Sequence, residues 1–532
     1  MKNFASGLVI TALPPLACIS SKSQRQKYVL LVFVTFLFTF HKHYILTKTF
    51  VNSSVFETFA VITYCLQNGF SLQILCVSFV SVFSPISSIL LHIVLDDYST
   101  SVRKAFNVES LLQLAEGEAK FRKNVCIIGG GIAGLTCAGV LSPTCNVTIF
   151  ESSKNYGFHV NCVNVKNEES NSFTIEAPPR SFNKRFYPNL VGLYDWAGIK
   201  YKLIVTNVRF PFSLFAGIPY PTSLSEYCFA ENLRFLWLLV NLYIDGFADR
   251  LKHYSVGEYI SSFSWQCTQT LESFIYPHLA TALTCSFKEV EEYPMDIIAE
   301  YLACVNERHY KVSGIGIEVV SKILTAHSRE SNLGVAVDFV SNSSATSQNM
   351  PTVHYTTTDG KQLEQCFDDI IIATEAHIAS RLLSHSSKSA QLSQLIGEVP
   401  IVNTTVGIHR DESYMPSGNR NDWKLYCYTR RINTDKHYFS LYMNYFNRNI
   451  GNSPIFQTIN FDEKDTKNLI AIHHYTRPLV NKKSESIIDK LVNYDGIKSH
   501  VWLCGSYVGR TVPLQEAAVT SAMRVCYSIL RY

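Results

Sequence analysis

The sequence has few charged residues and no marked excess of either sign. Only 17% of its 532 residues are charged, and 47 basic side chains nearly balance 43 acidic ones, which leaves a formal net charge of +4. Proteins that bind nucleic acid usually carry a clear, clustered excess of basic residues. The sequence therefore predicts no nucleic-acid partner. The 29 Tyr and 33 Phe instead favour large buried interiors.

The sequence also lacks the cysteine spacings of metal sites and redox pairs. Its fifteen cysteines are scattered, with no Cys-x-x-Cys pair and no Cys/His pattern at the spacing of zinc ligands. We interpret them as reduced, mostly buried thiols. No metal site is predicted.

Charged residues are missing altogether from residues 58–95. Within this stretch, Ile74 to Leu95 gives 22 residues, which is long enough to cross a bilayer, although Pro85 and five serines weaken the pattern. The favoured interpretation is a membrane protein anchored by this N-terminal segment. Two alternatives stay open: an organelle-targeting leader that is removed, or translated non-coding sequence. No methionine lies between Met1 and Met295, which counts against the second alternative.

What is present is a glycine-rich stretch that follows a short apolar run. Residues 125–128 predict a strand buried on both faces, and Gly129, Gly131 and Gly134 follow it with G-x-G-x-x-G spacing where a helix begins. The first glycine permits a tight turn, and the second lets the backbone approach a pyrophosphate. The third lets the helix pack close to the strand. This pattern is typical of dinucleotide-binding proteins.

A second predicted strand, residues 147–150, ends at Glu151. A carboxylate at this point can accept hydrogen bonds from the ribose of an adenosine, and the N–H groups at the helix start favour a phosphate. We therefore predict a bound dinucleotide that also contacts Ile132, Ala133 and Ser152. The alternative is a glycine-rich turn in an ordinary α/β unit.

The end of the chain predicts another strand followed by a helix. The strand ends at Gly505, and the helix covers residues 513–530 with a proline near its start. N–H groups at such a helix start can stabilise the negative charge of a reduced flavin. The backbone from Glu516 through Ala517 to Val519 is therefore predicted to face a flavin ring. The alternative is a strand and helix that only complete the sheet.

These motifs resemble those of FAD-dependent oxidoreductases of the flavin amine oxidase and phytoene desaturase type. More narrowly, the chain is similar to the amine-oxidase-like N-terminal part of plant cyclopropane fatty acid synthases and to related NAD/FAD-binding oxidoreductases. The resemblance runs from about residue 122 to 532, and residues 1–120 have no counterpart in it. Its further motifs are Gly157-Phe-His159, Ser181-Phe-Asn, Tyr187-Pro-Asn-Leu190, Ile408-His-Arg-Asp411, Met415-Pro416, Trp423, Tyr442-Met-Asn444 and Val501-Trp-Leu-Cys-Gly505.

The resemblance implies an α/β fold: a Rossmann-type FAD-binding domain with an inserted mixed helical and antiparallel-sheet substrate domain. The N-terminal membrane or leader region, which has no counterpart in the resemblance, is expected to precede it. The expected parts are an N-terminal region (1–120), three FAD-binding segments (121–200, 331–385 and 496–532), a mainly helical substrate domain (201–330) and an antiparallel-sheet substrate domain (386–495).

In function, the resemblance implies an oxidoreductase whose FAD accepts a hydride from an unidentified small-molecule substrate, apolar or lipid-like, at a membrane. His159 is expected at the cofactor. His377 and His409 are candidates near the flavin or substrate, with a structural role favoured for each, and no catalytic residue is assigned. Relatives commonly have glycine where this chain has Phe158 and Ala517. These departures favour an alternative, a flavin-binding or flavin-lacking structural or interaction protein. No oligomeric state is predicted.

Overall fold

The computed structural model describes residues 108–113, 122–157, 162–167, 169–205, 238, 241–242, 245–246, 249–263, 271–304, 308–342, 350–415, 418–420, 423, 425–430, 437–445 and 450–532. The predicted membrane segment, residues 74–95, lies outside these residues, as do Phe158 and His159. Within the described part of the chain, no helix combines the length and apolarity needed to cross a bilayer. This finding contradicts the predicted membrane localisation.

The structure contains strands and helices in mixed order. The strands are β1 (Asn124–Ile128), β2 (Asn146–Glu151), β3 (Cys162–Lys166), β4 (Ser172–Glu176), β5 (Phe182–Asn183), β6 (Tyr201–Val205), β7 (His309–Val312), β8 (Glu330–Leu333), β9 (Ala336–Asn342), β10 (Pro351–Thr356), β11 (Gln362–Cys366), β12 (Asp369–Ile372), β13 (Ile401–His409), β14 (Tyr426–Arg430), β15 (His437–Tyr442), β16 (Phe456–Ile459), β17 (Leu469–Pro478) and β18 (Val501–Leu503). The α-helices are α1 (Val108–Gln113), α2 (Ile132–Leu141), α3 (Pro188–Trp196), α4 (Val256–Ser261), α5 (Tyr276–Leu283), α6 (Phe287–Glu292), α7 (Met295–Cys304), α8 (Gly316–Leu324), α9 (Ala376–Leu383), α10 (Ala390–Gly397), α11 (Lys482–Val492) and α12 (Gln515–Arg531).

A five-stranded parallel sheet brings distant parts of the chain together in the order β18-β12-β1-β2-β8. One of its faces packs against α2 and α12, and the other packs against α9 and β10. Because both faces are covered, β1 is a continuous run of buried apolar residues after Asn124. The predicted α/β fold with a parallel sheet is confirmed.

The fifth strand of this sheet, β8, is an element that the sequence pattern does not reveal. Its residues Glu-Ser-Asn-Leu carry no apolar alternation, and most of them are exposed because β8 is the edge strand beside β2. Backbone pairing with β2 holds it in the sheet, so no apolar side chains are required.

A second sheet, antiparallel, has the order β14-β15-β16-β13-β17. Its strand β13 pairs with β16 on one side and with β17 on the other. One face of the sheet packs towards the helical segment that includes α5 and α7, and the other covers an aromatic cluster that includes Trp423 and Phe456. The central strand β16 has no alternating pattern, because all four of its residues are buried.

The described residues between β6 and β7 include the helices α4, α5, α6 and α7. Two of these helices, α4 and α6, begin with complete capping boxes, Ser255 with Glu258 and Ser286 with Glu289. In each box the serine side chain and the glutamate side chain satisfy one another's backbone N–H groups. This local pairing fixes where each helix begins.

Candidate functional site

A cavity of ≈ 490 Å³ lies between the parallel sheet and the antiparallel sheet. On one side it is lined by residues that directly follow the carboxyl ends of β1, β12 and β18, namely residues 131–133, 373–377 and 505–507. Open parallel sheets bind ligands at this edge. On the other side it is lined by side chains of β13, β15, β16 and β17. The cavity therefore joins the glycine motif to the antiparallel sheet.

The three motif glycines occupy different environments. Gly129 has a φ of +107°, which favours glycine, so it permits the tight turn after β1. A Cβ on Gly134 would lie 1.9 Å from the carbonyl oxygen of Gly129, so only glycine allows α2 to pack this close to the turn. A Cβ on Gly131 would meet nothing within 4 Å, and this open space belongs to the cavity. The turn therefore has room for a group that approaches the backbone at Gly131.

Two helices begin at the cavity. The N-terminus of α2 has no side-chain cap, and Ile132 and Ala133 of its first turn line the cavity. The N-terminus of α12 also has no side-chain cap, and Gln515 and Ala518 line the cavity there. Uncapped first-turn N–H groups and the helix dipole favour negative charge. The two helix starts together suit an anionic or electron-rich ligand.

The C-terminal strand also approaches the cavity through glycine. Gly505 lines it with a φ of +149°, and a Cβ there would lie 2.9 Å from the ring of Tyr507. Its backbone N–H donates to the Oγ of Ser521 on α12, at 2.9 Å. This contact ties the strand end to the helix whose first turn lines the cavity.

Glu151 lies beside the glycine turn. One of its carboxylate oxygens accepts a hydrogen bond from the N–H of Gly130 at 2.7 Å, and the other accepts from the N–H of Ser153 at 2.8 Å and from the hydroxyl of Ser152 at 3.3 Å. The structure thus brings the predicted acid to the turn and fixes it there by backbone hydrogen bonds. The cavity lining identified among the described residues does not include Glu151 or Ser152.

The structure places Glu516, Ala517 and Val519 away from the cavity lining. All three are buried, and the carboxylate of Glu516 accepts hydrogen bonds from the backbone N–H groups of Asn189 and Leu190, each at 3.0 Å, at the start of α3. The cavity is lined instead by Leu514, Gln515 and Ala518. The reason is helical periodicity: residues three or four apart share a face, and Gln515 and Ala518 form that face here.

The candidate histidines are separated. His377 is exposed at the cavity, with its Nε2 3.6 Å from a carboxylate oxygen of Glu375. His409 is fully buried on the opposite face of the antiparallel sheet, where its Nε2 lies 2.7 Å from the hydroxyl of Thr458. Burial lowers the pKa of His409 to about 4, so the ring is neutral. This placement agrees with the structural role favoured for His409.

The sequence reasoning missed two arginines that line the cavity, Arg180 and Arg477. Burial, reinforced by the charge of Arg477, lowers the pKa of Arg180 to about 10. Burial also lowers the pKa of Arg477. Tyr475 beside them donates its hydroxyl to the carbonyl oxygen of Ala177, and burial raises its pKa to about 12. Arg180 comes from a loop and Arg477 from β17, so no spacing in the sequence relates them.

Comparisons with known proteins agree with this architecture. Residues 127–196 match a family described as NAD(P)-binding Rossmann-like domain. No curated protein is significantly similar to the chain in sequence. The fold is similar to that of an oxidoreductase from Methanosarcina mazei, at 14% identity and a TM-score of 0.50, over 75% of this chain and 100% of that one. It is also similar to a reduced UDP-galactopyranose mutase, at 11% identity and a TM-score of 0.50, over 77% and 94% of the two chains.

These comparisons establish the fold. The matched residues 127–196 run from the end of β1 through the glycine turn and β2 to α3, so this part of the chain has a Rossmann-like fold. At 14% and 11% identity, the two structural similarities show a shared fold and do not show a shared substrate.

Proposed function

We propose that the protein is an FAD-dependent oxidoreductase of the flavin amine oxidase type, in which FAD accepts a hydride from an apolar small-molecule substrate. The observation that carries this proposal is the cavity itself, which runs from the open glycine turn and two uncapped helix starts to the antiparallel sheet. A dinucleotide held by the turn would place its second half between the sheets. The likeness to an oxidoreductase and to a mutase in reduced form supports this choice.

The residues present fit a dinucleotide. The backbone at Gly131 is open to a pyrophosphate, and the N–H groups at Ile132 and Ala133 can donate to it. Glu151 is beside the turn, where a ribose would lie, and a ribose hydroxyl would compete with the backbone N–H groups that it now accepts from. We propose that FAD contacts these residues, Ser152 and Gly505.

FAD, when bound, supplies the redox chemistry by accepting a hydride at its ring. The protein would position the flavin and the substrate, exclude water from the cavity and supply charge. The start of α12, at Leu514 and Gln515, can stabilise negative charge on a nearby ring without a charged side chain. The charged Arg180 and Arg477 add positive potential to the same cavity. No residue is assigned as an acid or base.

An apolar substrate is proposed because the antiparallel sheet presents apolar side chains to the cavity. Val406, Phe439, Leu441 and Ile459 line it together. Burying apolar groups against this surface is favourable and not directional. A lipid-like molecule would fit this surface, as the resemblance to the cyclopropane synthase branch implies. An alternative is a protein with the same fold that binds flavin without turning over a substrate, or lacks flavin.

The visible absorption spectrum of the purified protein tests the proposal. Bands near ~370 and ~450 nm that bleach with dithionite are expected from a bound flavin. Bleaching by a substrate under anaerobic conditions would support catalysis. A protein that is colourless, and that takes up no FAD on incubation, would contradict the proposal and support the flavin-lacking alternative.

The variant Gly131→Leu locates the flavin. The position has extended backbone and open space around its Cα, so a leucine should fold normally. It should nevertheless fill the space that a pyrophosphate needs and weaken FAD binding at least about tenfold, which is ~1.4 kcal/mol. Gly418→Leu is the matched control, because a Cβ there also meets nothing within 4 Å and its loop does not line the cavity. A Gly131→Leu protein that keeps its full flavin content would show that the cofactor lies elsewhere.

A further inference from the structure

Six side chains of β13, β15 and β16 form one surface of the cavity, which we call the sheet floor: Thr404, Val406, Phe439, Leu441, Gln457 and Ile459. The strand register accounts for this surface, because Leu441 pairs with Gln457 while Val406 and Phe439 both pair with Ile459. Alternate residues of a strand point to the same side of a sheet. Four of the six side chains are apolar. Thr404 and Gln457 are the two polar members.

The two polar side chains of the sheet floor differ in their hydrogen bonds. The hydroxyl of Thr404 donates to the carbonyl oxygen of Thr284 at 2.9 Å. The side chain of Gln457 is 0% exposed, yet neither its Nε2 nor its Oε1 has a hydrogen-bond partner among the residues that the structure describes. A carboxamide has two N–H donors and an acceptor oxygen, and leaving them unsatisfied in a buried place is unfavourable.

Several buried polar groups on the reverse face of the same sheet are paired. The hydroxyl of Thr458, next to Gln457 in the chain, lies 2.7 Å from the Nε2 of His409 and 2.7 Å from the hydroxyl of Ser440. The Nδ1 of His409 accepts from the N–H of Asp411 at 3.1 Å. Gln457 differs from these paired groups in its hydrogen bonding, and its side chain borders the cavity.

We propose that Gln457 is a substrate-recognition residue, whose carboxamide is held ready for a hydroxyl or amide group on an otherwise apolar substrate. This inference rests on the proposed function and narrows its substrate class. A group that both donates and accepts hydrogen bonds complements a carboxamide, whereas a plain hydrocarbon leaves both polar atoms of Gln457 unpaired. The four apolar neighbours in the sheet floor then contact the rest of the molecule.

The first test is the thermal stability of Gln457→Met in the ligand-free protein. Methionine has nearly the shape of glutamine and lacks its polar atoms, so the change should raise Tm by about 1–3 °C. The matched control is Thr404→Val, also on the sheet floor, which removes a hydroxyl that the protein does satisfy and should lower Tm. A clear drop in Tm for Gln457→Met would mean that the protein itself pairs the carboxamide, and would overturn the proposal.

The second test measures ligand preference by calorimetry with three probes of similar length, octanamide, 1-octanol and 1-chlorooctane. The wild-type protein should bind octanamide and 1-octanol about tenfold more tightly than 1-chlorooctane, which corresponds to one hydrogen bond gained. Gln457→Met should lose this preference through weaker binding of the two polar probes, while Thr404→Val should keep it. A wild-type protein without the preference, or a methionine variant that retains it, would overturn the proposal.

The flavin ring offers a rival partner, because its pyrimidine edge also donates and accepts hydrogen bonds. If Gln457 contacts that edge, Gln457→Met should shift the flavin spectrum and leave the probe preference unchanged, which would overturn the substrate assignment. Both tests give a result whether or not flavin is bound. A protein without flavin would contradict the proposed function, and the Tm and probe measurements would still decide the role of Gln457.

Discussion

The two sides of the cavity present different chemistry to a ligand. On the parallel-sheet side, the glycine turn presents open backbone at Gly131, and the starts of α2 and α12 lack side-chain caps. On the antiparallel-sheet side, the sheet floor presents side chains, four apolar and two polar. Almost every residue has a backbone N–H group, so binding on the parallel-sheet side depends on where the backbone can approach the ligand. The second side depends on which side chains it carries.

This difference suits the two sides of the cavity to different roles, cofactor binding and substrate recognition. Close approach of the backbone requires glycine at fixed positions, as at Gly134, where a Cβ would lie 1.9 Å from a carbonyl oxygen. Such a side can hold the invariant part of a ligand, such as a cofactor. A sheet floor built from side chains can change its chemistry one residue at a time without disturbing strand pairing, which suits the recognition of a particular substrate.

The largest expected effect is a loss of stability when a glycine is changed on the parallel-sheet side of the cavity, which we call the backbone side. Gly134→Ala should lower the free energy of unfolding by about 3 kcal/mol, because the added methyl group meets backbone rather than a mobile side chain. Gly139→Ala in the same helix is the matched control, since its Cβ would meet the end of the Leu324 side chain at 2.8 Å. That variant should stay within about 1 kcal/mol of wild type, as the helix also gains from alanine.

Denaturant unfolding followed by circular dichroism measures both glycine variants. Equal stabilities for Gly134→Ala and Gly139→Ala would show that α2 can shift away from the turn. The backbone side of the cavity would then tolerate a change of side chain as well as the sheet floor does, which would contradict the proposed difference between the two sides.

The next effect concerns how the backbone side is held in place. Glu516→Gln should lower the free energy of unfolding by about 2 kcal/mol, because a buried carboxylate that accepts N–H groups of Asn189 and Leu190 becomes an amide with a poorly placed NH₂. FAD affinity should change little, since this side chain does not line the cavity. The exposed Glu463→Gln is the control and should leave stability unchanged.

Unfolding curves and FAD titrations of these two variants distinguish a role of Glu516 in stability from a role in binding FAD. If Glu516→Gln keeps its stability and loses FAD, the carboxylate itself acts on the cofactor. The assignment of Glu516 as a capping residue of α3 would then be wrong.

The sequence predicts the backbone side of the cavity far better than the sheet floor. Gly129 and Gly134 are recognisable because only glycine meets the steric demands of a tight turn and a close helix, and Gly131 completes their spacing. The helix predicted over residues 513–530 is present as α12, and its first turn lines the cavity through Gln515 and Ala518, because a helix start alone does not fix which residues point inward. The membrane localisation was wrong because hydropathy of the N-terminal region was its only basis, and the described residues contain no spanning helix.

The sheet floor was hidden for a physical reason. Strand β16 carries Gln457 and Thr458 in a fully buried Phe-Gln-Thr-Ile run, so the alternation of apolar and polar residues that predicts a half-buried strand is absent. Arg180 and Arg477 also meet only through the fold, since one lies in a loop and the other on β17. Polar residues that face a cavity interrupt the apolar patterns by which sequence is interpreted.

A further prediction, which depends on pH, concerns the contrast between the two faces of the antiparallel sheet. The reverse face pairs its polar groups around neutral His409, whose pKa burial lowers to about 4, with the carboxylate of Asp411 opposing this shift. An unfolded histidine has a pKa near ~6.5, so between these values the unfolded chain binds a proton that the folded protein does not. Stability contributed by neutral His409 is therefore lost as pH falls, by about 2 kcal/mol between pH 6.5 and 4.5.

His409→Gln tests this pH dependence. Glutamine can still reach the hydroxyl of Thr458 but does not titrate, so the variant should lose about 2 kcal/mol less than wild type over that pH interval. Asp411, whose pKa backbone and side-chain hydrogen bonds lower despite burial, should act only at more acidic pH. His474→Gln, an exposed histidine on β17, should leave the wild-type pH dependence in place. Parallel pH profiles for wild type and His409→Gln would show that His409 takes up a proton in the folded protein as readily as a histidine in water. The paired polar groups of the reverse face would then be no more rigidly held than the unpaired Gln457 on the sheet floor.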